Sequence, residues 1–153
     1  MSSMDRAKVE ANAGPRLAIL RASFERLTGE VLAADDDALW HLAKPVVAHD
    51  TKPAPEFFYA NEAALNLFKM GARDFIGLPS HKSAEPDQRA ERAAMLAKLQ
   101  QDDIVCGYTG IRVAADGTRF QIEDGTIWNL RNEAGERIGQ AATFAMPASC
   151  TAG

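Results

Sequence analysis

FFYANEAALNLFKMGARDFIGLP, residues 57–79, passes from a short aromatic β-run through an asparagine into a helix and then into a second helical turn. Asn61 suits the start of the first helix, because its side-chain oxygen can accept from a backbone N–H left unpaired one turn in. Glu62 then favours the positive end of that helix. Ala64, Leu65 and Phe68 share one face at helical spacing and are expected to bury against a sheet, with Gly71 as the stop. ARDFIGLPS adds a single turn with Phe75 and Ile76 inward, closed by Gly77 and Pro79.

Outward from this segment, PVVAHD (45–50) is β-rich and is joined to EFFYA through Lys52, Pro53, Ala54 and Pro55, which predicts a hairpin with a long connection. Downstream, Glu85, Pro86 and Asp87 mark the first turn of a helix running to about Gln101. Its stripe of Ala90, Ala93, Ala94 and Ala97, widened by Met95, Leu96 and Leu99, predicts close packing on a sheet. Cys106–Val113, Thr118–Asn129 and Glu136–Phe144 read as strands. The Gly-bearing turns at 115–117 and 132–135 should pair them antiparallel. The sum is an α+β fold, a five-stranded antiparallel sheet with helices on one face.

Four zones follow. Residues 1–14, polar and small, are expected to be a mobile lead-in. Residues 15–44 form a helical extension outside the core domain, with Leu17, Leu20, Phe24 and Leu27 along one stripe and a short helix capped by Asp36 or Asp37. The core spans 45–146, and 147–153 is expected to be a disordered tail.

With 153 residues, 46% of them apolar, the chain is long enough for one ordinary core. A formal charge of −4 with scattered Lys and Arg gives no footprint for a phosphate backbone, so nucleic-acid binding is not expected. No apolar run suits a membrane span and no basic-then-apolar leader opens the chain, so a cytoplasmic location is expected. Cys106 and Cys150 are read as free thiols.

The blocks SFERLTG, YANEAALNLF, FIGLPS, SAEPDQRAERAAMLAKL, GYTGIRVAADGTRFQIE, TIWNL and GQAATF follow one another over most of the chain. In that order they resemble the MEKHLA family, a PAS-related domain found alone in bacterial proteins and at the carboxyl end of some plant homeodomain-zipper regulators. Two departures stand out: the string that names the family is absent, and His81 follows LPS where an Arg is expected. The resemblance implies a PAS-like sensory or interaction module with no catalytic residues to carry over.

The residues offer little catalytic chemistry of their own. His41, His49 and His81 are far apart with no metal-ligand spacing, so no metal is expected. They read as solvated or singly bonded, and only His81 keeps a candidate role as a haem ligand. Ser80 and Ser83 flank His81, but Ser83 reads better as a helix cap than as a nucleophile. Cys106 lacks the helix motif of flavin-binding light sensors, and no cofactor is expected. Glu123 and Asp124 are adjacent on a strand, so alternation turns only one inward.

If a cavity exists, alternation places Phe120, Ile122, Asp124, Thr126 and Trp128 on one face of the fourth strand. Ile138, Gln140, Ala142 and Phe144 share a face of the fifth. The candidate lining is Phe58, Tyr108, Phe120, Ile122, Asp124, Trp128 and Gln140; a packed core with Trp128 N–H on a backbone partner is the competing reading. The N-terminal helix either covers a sheet face or pairs with a second copy through Leu20, Phe24 and Leu27, and a homodimer or a signalling protein partner is expected. Two functions compete. One is a non-catalytic sensory module for a small ligand, a protein partner or both. The other is a cone-shaped isomerase or dehydratase using Asp124 with Tyr108. Strands placed before the main helices favour the sensor.

Overall fold

Asn61 is where the fold is tied together. In a computed structural model that describes residues 3–83 and 89–145, its Oδ1 accepts from Ala64 N (3.1 Å), which caps α4 (Glu62–Phe68), and from Val46 N (2.9 Å), which opens β1 (Val46–His49). Its Nδ2 donates to the carbonyls of Lys44 (2.9 Å), Leu39 (3.2 Å) and Leu42 (3.4 Å), at and beyond the end of α3 (Asp36–Trp40). One fully buried amide thus satisfies groups from three segments, far more than a cap requires.

The sheet has the order β2-β1-β5-β4-β3 and is antiparallel throughout: β2 is Phe57–Ala60, β3 Ile104–Val113, β4 Arg119–Arg131 and β5 Arg137–Thr143. The short α5 (Ala72–Phe75) and α6 (Arg89–Asp102) complete one face. The left-handed residue after α4 is Lys69 (φ 59°), and Gly71 instead precedes α5 at its N-cap, which corrects the expected stop at Gly71. The acidic, proline-bearing turn at Glu85–Asp87, the side chain of His81 and the tail 147–153 lie outside the described residues.

Two expectations about the helices are overturned. The lead-in read as mobile is a helix, α1 (Ser3–Ala13). Val9 and Ala13, one turn apart, are buried, and Asn12 Nδ2 donates to Phe58 O of the edge strand β2 at 3.1 Å. A largely polar helix suffices here because it also satisfies an exposed strand edge. α2 (Arg16–Thr28) is equally part of the core. Leu20 and Phe24 are buried, the Phe24 ring meets Trp128 edge-on at 4.9 Å, and Ser23 Oγ accepts from Arg131 N. The sheet therefore has helices on both faces, and the boundary drawn at residue 45 crosses a continuous core. α3 is capped by Asp35 rather than by Asp36 or Asp37, its carboxylate accepting from Ala38 N.

On α6, Met95 and Leu99 turn inward, whereas Ala93, Ala94 and Ala97 are exposed. Two larger side chains four residues apart fill more of the gap to the sheet than alanines on the opposite face would, so burial follows the larger apolar area.

β-bulges decide which side chains face which layer. Between β3 and β4 the register advances from Val105–Ile127 to Tyr108–Gly125 and then to Gly110–Ile122. One extra residue on β3, at Gly107 (φ 69°), is cancelled by one on β4, at Asp124 (φ 54°). Each strand exchanges faces at its bulge. Phe120 and Ile122 share their face with Ile127, while Trp128 turns to α2, so the expected alternation from Phe120 through Trp128 is broken. A third irregularity, between β1 and β2, leaves Phe57 facing α5 while Phe58 faces Arg16 of α2.

Candidate functional site

Between the sheet and the α4–α6 layer lies a cavity of about 50 Å³. Its apolar wall comes from Val47 on β1, Phe57 on β2, Phe68 on α4, Met95 on α6, Ile122 and Ile127 on β4, and Ala142 and Phe144 at β5. Polar side chains also reach it: His49, Ser80, Tyr108, Arg112, Gln140 and Thr143, the last donating from Oγ1 to Pro45 O. Apolar walls with a few placed polar groups are the usual make-up of a small-molecule site.

Arg112 is 8% exposed. Its Nη1 donates to Ile111 O (3.0 Å) and its Nη2 to Tyr108 Oη (3.3 Å), and the guanidinium stands 5.7 Å from the Tyr108 ring centre. Tyr108 occupies space left by a glycine: a Cβ at Gly110 would lie 2.6 Å from the phenolic oxygen. His49 is buried, with Nδ1 2.9 Å from Asp50 O. Since a carbonyl only accepts, Nδ1 carries the proton, and in the neutral ring Nε2 is the acceptor.

Gln140 connects the cavity to the rim of the sheet. Its Oε1 accepts from Arg137 Nη2 (3.4 Å), Arg137 Nε donates to Asn129 Oδ1 (2.9 Å), and Asn129 Nδ2 donates to Asp103 Oδ1 (2.9 Å). Asp103 lies just beyond α6 at φ 65° and is bound by Arg131 Nη2 at 2.9 Å. The Arg131 guanidinium, helped by the Asn129 amide, holds the Asp103 carboxyl below the ordinary carboxylate range. Burial, with Arg131 nearby, lowers Arg137.

Of the residues singled out in the sequence, Tyr108, Ile122 and Gln140 line the cavity, and Phe120 supports it by packing on Phe68 at 5.2 Å. Phe58, Trp128 and Asp124 do not belong to it. Phe58 lies beneath Arg16, 4.0 Å from its ring centre, and Trp128 donates from Nε1 to Leu20 O at 3.3 Å. Asp124 occupies the β4 bulge with both it and Glu123 exposed, which removes the inward carboxylate that the isomerase or dehydratase reading needed. Leu20 and Phe24, expected at a dimer seam, are consumed by their own sheet, with Leu27 packed partly against the same core.

The sequence did not mark Arg112, His49 or Phe57 as cavity residues. Arg112 follows Tyr108 and Gly110 at period two, so alternation along the third strand held the signal. Which of Phe57 and Phe58 faces inward depends on a bulge that the pattern does not mark. Of the histidines read as solvated or singly bonded, His41 is exposed and His49 is buried with Nδ1 bonded to Asp50 O. Among the described residues no group of His, Cys, Asp and Glu could hold a metal ion, and no helix is long and apolar enough to cross a membrane. Cys106 is exposed beside the Gly107 bulge.

A twisted antiparallel sheet in this order, with a helical layer over a small cavity, is the PAS-like α+β arrangement. Solved structures agree at the level of fold. The PAS domain of a Colwellia psychrerythraea protein superposes with a TM-score of 0.61 over 72% of this chain and 91% of its own, at 14% identity. An RNA-binding light-oxygen-voltage receptor gives 0.61 over 72% of this chain and 31% of its own, at 22% identity. A variant of the photoreceptor Vivid gives 0.60 over 82% and 98%, at 14% identity. The family model of the MEKHLA domain matches residues 16–147, and the chain belongs to the MEKHLA domain family. Homeobox-leucine zipper protein REVOLUTA of Arabidopsis thaliana is 27% identical over 109 residues, which are 69% of this chain and 13% of that protein. The chain therefore spans about an eighth of that relative.

Proposed function

We propose that this MEKHLA domain is a sensory module that takes up a small molecule in the cavity between its sheet and the α4–α6 layer, without catalysis of its own. The observation that supports this most is the convergence of six polar side chains, drawn from β1, the 80–83 turn, β3 and β5, on one apolar-walled space. Buried polar groups are costly unless satisfied, and a core with only a packing role would be expected to avoid gathering them. Occupancy is read out at Gln140, whose hydrogen-bonded chain through Arg137 and Asn129 ends at the turn between α6 and β3.

A thermal-shift screen of small polar metabolites against the wild-type protein and Ala142→Leu tests this. Ala142 lines the cavity, and three added carbons fill much of about 50 Å³. A bound compound should raise the midpoint of the wild type and leave the folded variant unmoved. Equal shifts in both proteins would place binding elsewhere and refute the proposal. Protection of the Asp103 amide against hydrogen exchange on binding checks the readout.

A further inference from the structure

Arg112 is the least expected group in the core. The residue is more than nine-tenths buried, yet the partners of its guanidinium are a carbonyl and a phenol, both neutral, and among the described residues no carboxylate pairs with it. A buried cation without a counter-charge is unfavourable, and a guanidinium presents five N–H donors of which these bonds use two. Its planar fork matches a carboxylate.

The neighbours in the cavity are of matching character. Tyr108 Oη accepts from Arg112 and keeps its own proton to donate. Gln140 gives its carbonyl oxygen to Arg137, which leaves its amide N–H2 as a donor. Among the described residues no Asp or Glu lines the cavity. Phe57, Phe68 and Ile122 supply apolar surface to the same cavity. The space, about 50 Å³, holds about three to five non-hydrogen atoms, given that each water needs about 10–15 Å³ on this measure.

We infer that the cavity is a site for a short-chain monocarboxylate, its carboxylate held by Arg112 and the Tyr108 hydroxyl and its alkyl end set against Phe57 and Ile122. The inference rests on the small-molecule reading above and narrows it to one charge, one functional group and one size. A carboxylate supplies the counter-charge that no described residue gives Arg112, so the ligand completes the core.

The test is isothermal titration and thermal shift on the full chain with sodium formate, acetate, propionate, butyrate and hexanoate, against sodium chloride at equal ionic strength, and with propionamide and propanol as uncharged counterparts. Acetate and propionate should bind and raise the midpoint, butyrate and hexanoate should fail for length, and the amide and alcohol should be at least about tenfold weaker because they lack the charge-assisted pair. Arg112→Gln should abolish the carboxylate response, and Tyr108→Phe, a folded variant with one hydroxyl missing, should weaken it about three- to tenfold. Arg112→Met should raise the midpoint of the ligand-free protein, since it removes an uncompensated buried charge. Uncharged compounds binding as well as carboxylates, with Arg112→Gln unaffected, would overturn the carboxylate assignment while leaving a ligand cavity in place. No binding by any compound, with Arg112→Met less stable than wild type, would overturn both and make Arg112 a structural residue.

Discussion

Replacing Asn61 with Ala is expected to be among the most damaging single changes in this chain, although the residue touches no ligand. The cap on α4 goes first, which costs about 1 kcal/mol. Val46 N–H loses its 2.9 Å acceptor at the start of β1, and an unsatisfied buried donor costs about 1–3 kcal/mol. The carbonyls of Lys44, Leu39 and Leu42 lose their shared donor in the same place. The sum is about 3–5 kcal/mol, a large part of the roughly 5–15 kcal/mol that a domain has in all. In urea, with an m-value of about 2 kcal/mol/M, the midpoint should fall by about 2 M at unchanged slope. Asn61→Asp separates the two halves of the network, because it keeps both acceptor contacts and turns an oxygen toward three carbonyls. It should be at least as unstable as the alanine variant at pH 7 and should recover in part on acidification. An alanine variant within about 1 kcal/mol of wild type, with unchanged m, would refute the idea that one amide ties α3, β1 and α4 together.

Three further outcomes follow from particular atoms. Asp124→Gly should be neutral or slightly stabilising, by less than about 1 kcal/mol, since it removes a side chain from a left-handed position, whereas Asp124→Val should cost about 1–2 kcal/mol; thermal midpoints of the pair check this. Gly139→Ala should lower the unfolding midpoint markedly, because its Cβ would sit 2.6 Å from His49 O of the paired strand, and backbone at that distance yields only by moving β1 from β5. Asp103 is ionised more readily in the folded chain than its ordinary value of 3.8. Its contribution is therefore complete above about pH 4 and is lost as pH falls through the lower folded value, and Asp103→Asn should flatten the decline of the thermal midpoint in that acid range.

The sheet, its pairing and the capped helix were legible because each rests on local chemistry: the Asn61 acceptor, the Gly-bearing turns and the alternation within short runs. The faces were legible only as far as the first bulge. Nothing in GluAspGly at 123–125 distinguishes a strand that alternates from one that takes up an extra residue, and that single step sent Trp128 to α2 rather than to the cavity. The N-terminal helices were misplaced for a different reason. An amphipathic stripe such as Leu17, Leu20 and Phe24 announces that it will be covered, but not by what, and the covering surface is more than a hundred residues away at Trp128 and Leu130. Arg112 went unread because a lone arginine on a strand is so often solvated, and only the burial of its neighbours shows otherwise.

The matched bulges at Gly107 and Asp124 constrain how this hairpin can vary. Losing one residue at either place would displace the whole tip, Tyr108 to Glu123, by one position and send Phe120 and Ile122 to the wrong side. Losing one at both would restore an unbroken ladder whose tip is inverted relative to its base. Insertions and deletions here are expected to be excluded singly and harmful in pairs. An alignment that opens a gap on one strand of this hairpin should be examined for a misplaced gap before it is taken as divergence.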